Sequence, residues 1–136
     1  MITYVLDASA VLRYLDDEPG VDRMEELLAG GANIATELVI SAVQWGEIAC
    51  KVFQRHERSR YEYILSQLQS IGLTITPATA ERAAFAGVLR ATLKIAYADA
   101  FCVQAAMELQ GCTLVTADFG FKAAEHLVKI EFLPAK

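Results

Sequence analysis

The stretch "VLDASAV" at residues 5–11 places a carboxylate, Asp7, inside an apolar run that begins at Tyr4. Residues 2–6 read as a short buried strand, and a carboxylate beside buried apolar chain is costly unless something balances its charge. Asp7 is therefore a helix cap, a turn residue or one part of a site. Ser9, two residues on, can itself cap a helix running to about Leu15, because serine is a favoured N-cap.

Working outward, strands and helices alternate. "DDEPG" at 16–20 breaks the first helix, and Glu18-Pro19-Gly20 marks a turn. Val21, Met24, Leu27 and Leu28 share one face of a short helix over 21–28, which "AGG" at 29–31 ends. "LVI" at 38–40 is a second strand. Ser41 with Gln44 fits a capping box before a helix reaching about Arg55. Tyr61, Ile64, Leu65, Leu68 and Ile71 lie at helical spacing before Gly72. "LTIT" at 73–76 is a third strand, and Pro77 and Thr79 open a helix through about Leu93. A helix at 98–110 ends at Gly111. "TLVT" at 113–116 is a fourth strand, residues 119–125 hold a helical turn, and "KIEFL" is a last strand. Such alternation predicts an α/β fold with a mostly parallel sheet covered on both faces. Ligands then bind beyond the carboxyl ends of the strands.

A chain of 136 residues, 54% hydrophobic, suits one domain (1–136) with a well-buried core. No apolar run approaches the roughly 20 residues of a membrane span, and the N-terminus does not read as a secretory signal. Cys50, Cys102 and Cys112 are widely separated, with no C-x-x-C, which points to a reducing cytoplasm. Cys50 and Cys102 have apolar neighbours and read as small core residues. The net charge of −5, with a pI near 5.0, argues against broad electrostatic coating of nucleic acid. It is compatible with a nucleic-acid enzyme whose acidic site is balanced by bound cations.

Four acids sit in apolar company. Asp7 and Asp118 follow the strands "TYVL" and "TLVTA". Glu47 lies within "SAVQWGEIACKVF", sharing a helix face with Val43 and Cys50, and Asp99 opens "ADAFCVQAAM". Each has an ordinary reading: Asp7 and Asp118 as caps, Asp99 as a favourable charge in a first turn, Glu47 as an ion pair with Lys51. As a set they demand a cation, because burying several carboxylates together without one is costly. Oxygen donors at strand ends suit Mg²⁺ or Mn²⁺ better than zinc. His56 and His126, without a partner at i+4, read as surface residues.

"VLDASAVLRYL", the helix carrying Glu47, "YADAFCVQAA" and "LVTADFGF" together resemble the PIN-domain ribonucleases, and most closely the VapC-type toxins of toxin–antitoxin pairs. The resemblance covers essentially the whole chain, in the family's order. It implies a three-layer sandwich around a short parallel sheet. It also implies that Asp7, Glu47, Asp99 and Asp118 gather as a catalytic pocket binding Mg²⁺ or Mn²⁺, with Ser9 and Thr116 supporting by hydrogen bonds. The implied activity is endonucleolytic cleavage of RNA, blocked by an antitoxin, in a protein that is usually a homodimer. Some PIN domains carry a further acid where this chain has Gly120, so the resemblance carries over the four-acid core only.

"KVFQRHERSR" gathers Lys51, Arg55, His56, Arg58 and Arg60, either as a solvated helix end or, at Arg55 and Arg58, as phosphate contacts to RNA. Trp45, Ile48, Val52 and Phe53 fall on more than one side of their helix, in a core or an interface. An antitoxin segment could lie in a groove between the early helices. Three rivals are distinguishable. An aspartyl-phosphate phosphatase needs an acid where Ser9 stands. A phosphoreceiver needs an acidic pair nearer the first strand than Asp16 and Asp17. A catalytically silent PIN-like module binding RNA or protein would have no use for four acids.

Overall fold

The computed structural model describes residues 1–30 and 35–136. The chain runs β1 (Ile2–Leu6), α1 (Ala8–Leu15), α2 (Val21–Gly30), β2 (Thr36–Ser41), α3 (Ala42–Arg55), α4 (Arg58–Ser70), β3 (Thr74–Thr76), α5 (Ala80–Leu93), α6 (Tyr97–Glu108) and β4 (Thr113–Thr116). A 3-10 turn (Phe119–Ala124) and β5 (Lys129–Phe132) complete it. α2 continues through Gly30, two residues into the "AGG" expected to end it; Gly31 lies outside the described residues.

Strand order is β3-β2-β1-β4-β5, with every described pairing parallel. The chain builds outward from β1 to β3, then returns to the other side of β1 with β4. The carboxyl ends of β1 and β4 therefore flank the point where the winding reverses, and a crevice opens there. The α/β expectation holds, with a wholly parallel sheet.

Alternation along the strands splits the core. Leu6, Leu38, Ile40 and Val115 face one layer, with Val11 and Met24 of α1 and α2, Ile48 and Val52 of α3, and Ile64 and Leu68 of α4. Val5, Val39 and Leu114 face the other, with Leu89 of α5, Phe101 and Val103 of α6, and Phe121. α6 is buried from Ala100 to Ala106, and all but Gln104 of that stretch is apolar or small. In α3, Ile48 and Val52 are core, while Phe53 is 54% exposed. No described helix is long and apolar enough to cross a membrane.

The turn after α1 is fixed from within. Gly20 takes φ +100°, and a Cβ there would lie 3.0 Å from the Cβ of Leu133. Arg13, buried, donates to the carbonyls of Pro19 (2.6 Å) and Pro134 (2.7 Å), tying this turn to the segment after β5.

Several local expectations change. Ser9 is not the cap of α1; Asp7 holds that position, without a side-chain capping bond. Ser41 does cap α3, accepting from the Val43 amide at 3.3 Å. Gln44 does not reach back to complete a capping box. Its fully buried side chain accepts from the Ala8 amide (2.8 Å) and donates to the Ala98 carbonyl (2.6 Å). One amide thus joins α3 to the first residue of α1 and to the first turn of α6.

Replacing Gln44 by Leu keeps the volume and removes both bonds. Leaving two backbone groups unpaired is expected to cost about 2–4 kcal/mol, read as a lower urea midpoint at unchanged slope.

Candidate active site

Asp7 is the residue that leaves β1 and starts α1. Its amide donates to the Val115 carbonyl at 3.0 Å, extending the β1–β4 ladder by one step. That bond draws the side chain under the end of β4, where it is 3% exposed. Its Oδ2 accepts from the Thr116 hydroxyl at 2.7 Å and from the Ser9 hydroxyl. Each hydroxyl has one proton to give, and each gives it to Asp7. As acceptors, Ser9 takes the Ala117 amide (3.0 Å) and Thr116 takes the Asp118 amide (3.0 Å). The two hydroxyls thus clip the carboxylate of Asp7 to the backbone that carries Asp118.

Asp118 accepts from the Gly120 amide at 2.8 Å and caps the 3-10 turn. Glu47 and Asp99 arrive from α3 and the first turn of α6. These four carboxylates line one cavity of about 320 Å³, with Ser9 and Lys51 also in its wall. A second cavity, about 580 Å³, shares Ser9, Leu12 and Asp118 with the first and adds Arg55, Phe119 and Lys136. His56 and His126 are exposed and line neither.

Burial pushes the Asp7 carboxyl up from 3.8 to about 6. The Ser9 and Thr116 hydroxyls pull it back by favouring the charged form, and the charges of Asp118 and Glu47 add a further rise. Asp99 is pushed up to about 7 by burial and then by Asp7, Asp118 and Glu47. The four acids therefore feel one another, and near neutral pH the cavity holds more negative charge than it accommodates alone.

The donor chemistry fits a hard divalent cation: four carboxylates, two of them pushed up by burial and by their acidic neighbours. They are arrayed around the cavity and not closed to a point. Among the described residues, no three His, Cys, Asp or Glu side chains stand together as a formed metal cluster.

Two ordinary readings fail. Glu47 makes no ion pair with Lys51 among the described residues; Lys51 stays on the cavity wall without a carboxylate partner. Cys50 is exposed and also lines the cavity, so it is not a core residue, whereas Cys102 and Cys112 are buried. The basic cluster separates: Arg55 pairs with Asp16 beside the site, while Arg58 pairs with Glu62 at 3.3 Å on exposed α4 and lines neither cavity. Gln44 was missed as a site residue. Its signal was its place on the stripe Gln44-Ile48-Val52, which faces the core.

Residues 4–127 match the family model described as PIN domain. Among solved structures, the chain is similar to VapBC2 from Rickettsia felis bound to a promoter DNA fragment (TM-score 0.75, 19% identity, 98% of this chain and 100% of that one). It is also similar to FitAcB from Neisseria gonorrhoeae (0.68, 23% identity, 93% and 95%). A third likeness is to VapBC-5 from Mycobacterium tuberculosis, of the VapBC family of toxin–antitoxin systems (0.62, 18% identity, 99% and 100%). No curated protein matches the chain by sequence.

The raised acids make stability depend on pH. Unfolded, Asp7 ionises near 3.8; folded, only near 6. Between these values the folded chain binds the extra proton, so stability falls as pH rises through the window and stays lower above it. Asp99 extends the window to about 7. In chelator, Asp7→Asn should be more stable than the parent at pH 8, by about 1–3 kcal/mol, and gain nothing at pH 3. Denaturant melts across pH check this; a variant no more stable at pH 8 removes the charge conflict.

Proposed function

The chain belongs to the PIN-domain family, and from this we propose that it is a Mg²⁺- or Mn²⁺-dependent endoribonuclease, the toxin of a VapC-type toxin–antitoxin pair. The observation that carries the reading is the convergence of Asp7, Glu47, Asp99 and Asp118 on one cavity at the carboxyl ends of β1 and β4.

Asp7 and Asp118 would hold the cation most directly, from backbone fixed by the sheet. Asp99 would complete the set. Glu47, exposed at the cavity wall, either joins them or orients the attacking water. When bound, the cation supplies positive charge that polarises the phosphodiester towards hydrolysis. Ser9 and Thr116 keep the Asp7 carboxylate in one orientation, since both donate to the same oxygen. Lys51 gives the acidic cavity a cation that can meet a substrate phosphate, and Arg55 does the same for the adjoining cleft. Arg58, one turn along the exposed start of α4, would meet RNA farther from the cut.

An RNA substrate would be met in the cytoplasm, where this reading puts the protein. The neighbours from VapBC and FitAB systems support an antitoxin partner. Its seat would be the cavity of about 350 Å³ between α1 and α4, where Tyr14, Leu15, Ile64 and Leu68 lie beside the polar Arg60 and Gln67. A homodimer would cover Phe85 and Val88, exposed one turn apart on α5.

Purified protein should cleave single-stranded RNA with Mg²⁺ or Mn²⁺ and stop when the cation is chelated. Asp7→Asn should lower the rate more than about 100-fold, and Thr116→Val about 10- to 100-fold, the range for a group that orients a ligand. Wild-type cleavage by the Asn variant would refute the mechanism; binding without cleavage by the parent would indicate a silent module. Substituting Arg55 and Arg58 by Ala should weaken RNA binding. It should also flatten the dependence of log K on log salt by about 0.7 per lost phosphate contact; an unchanged slope returns them to a solvated surface.

A further inference from the structure

The second cavity has a feature that cleavage chemistry leaves unused. Phe119 follows Asp118 directly and is 43% exposed. Its ring stacks on Phe132, centroids 5.4 Å apart and planes at 22°, so β5 supports it from behind. Lys122 brings its ammonium to 5.5 Å from the ring centroid. The next residue, Gly120, has no side chain to crowd the ring, and its amide bond to Asp118 fixes the turn bearing both residues. An aromatic surface is thus held one residue from a carboxylate that lines both cavities.

Charge alone holds an anionic chain weakly in this cleft. Arg55 is paired with Asp16 and Lys136 with Glu18 at 2.6 Å, and the protein carries a net −5. A flat apolar ring contributes what those cations do not, because base–aromatic stacking survives where ionic attraction is offset. The volume, about 580 Å³, falls within the range of small-ligand sites.

We propose that this cleft is the subsite for the nucleotide next to the scissile phosphate, with its base stacked on Phe119. The substrate is then RNA that is unpaired at that nucleotide, because a base within a duplex has no free face to offer. This rests on the ribonuclease reading above.

The test uses a defined single-stranded RNA of twelve nucleotides, versions abasic at each position in turn, and the same RNA annealed to its complement. Phe119→Leu keeps apolar cover over Phe132 and removes the stacking surface; Phe119→Trp keeps the surface. The Leu variant should raise KM about five- to a hundredfold, with a smaller change in kcat, and the Trp variant should restore it. One abasic position beside the cut should impair the parent and abolish its difference from the Leu variant, since contacting groups do not add. Annealing should protect the RNA. An unchanged KM in a folded Leu variant overturns the proposal, as does parental cleavage of paired RNA at the single-stranded rate. If the Leu variant fails to fold, the abasic series with the parent decides, and insensitivity at every position overturns it. A parent that cuts no RNA with either cation refutes the ribonuclease reading itself, and the subsite falls with it. Asp7-dependent cleavage indifferent to Phe119 refutes the subsite alone.

Discussion

The buried amide of Gln44 is the constraint on which the site depends. Its oxygen takes the amide of Ala8, next to Asp7, and its nitrogen gives to the carbonyl of Ala98, next to Asp99. Gln44 itself lies three residues, close to one turn, before Glu47 on α3. Three of the four acids therefore have their backbones referred to a single side chain. The fourth, Asp118, is tied to Asp7 through Thr116 and Ser9. Neutral groups do the positioning: at Asp7 two hydroxyls occupy Oδ2 alone, and at Asp118 one amide occupies Oδ1. An acidic residue in place of Gln44 would add to the very field the site has to balance.

That field opposes folding. Desolvation dominates at both Asp7 and Asp99, and repulsion among the acids adds to it. The sheet tolerates this because the apolar layers on either side of β1 and β4 are continuous, with Leu6, Val115, Val5 and Leu114 all fully buried. Strain of this kind at strand ends is common where function needs groups that packing would reject. A cation that relieved it would bind the folded chain and not the unfolded one, so loading and stability would rise together.

The strands were legible because short apolar runs bounded by Gly, Pro and Asp leave few alternatives, and Leu114 and Val115 could only be core. The acids were legible because a carboxylate amid apolar neighbours is conspicuous at single-residue level. Ser9 was assigned to the wrong bond because its acceptor role is filled by Ala117, 108 residues away, which helix-start rules do not contain. Gln44 looked like half of a capping box because spacing from Ser41 is local, whereas its partners lie on two other elements. Cys50 was placed in the core by its neighbours' hydropathy. Exposure is decided instead by where the sheet opens its crevice, and α3 turns that face towards it.

Gly120 follows the same logic from the other side. A Cβ at this position would come within 3.1 Å of Asp118 Oδ1, the oxygen that accepts the Gly120 amide. A side chain there would push on the carboxylate that the amide orients. An acidic one would also add a like charge to a cavity where two acids already resist ionisation. Any residue but proline would supply the same backbone donor here; what this chain omits is the side chain, which in some PIN domains is a further acid. Its fourth carboxylate is therefore held by hydrogen bonding, and the space beside it stays open towards Phe119. A single residue without a side chain thus both withholds a fifth acid and leaves the carboxylate of Asp118 uncrowded.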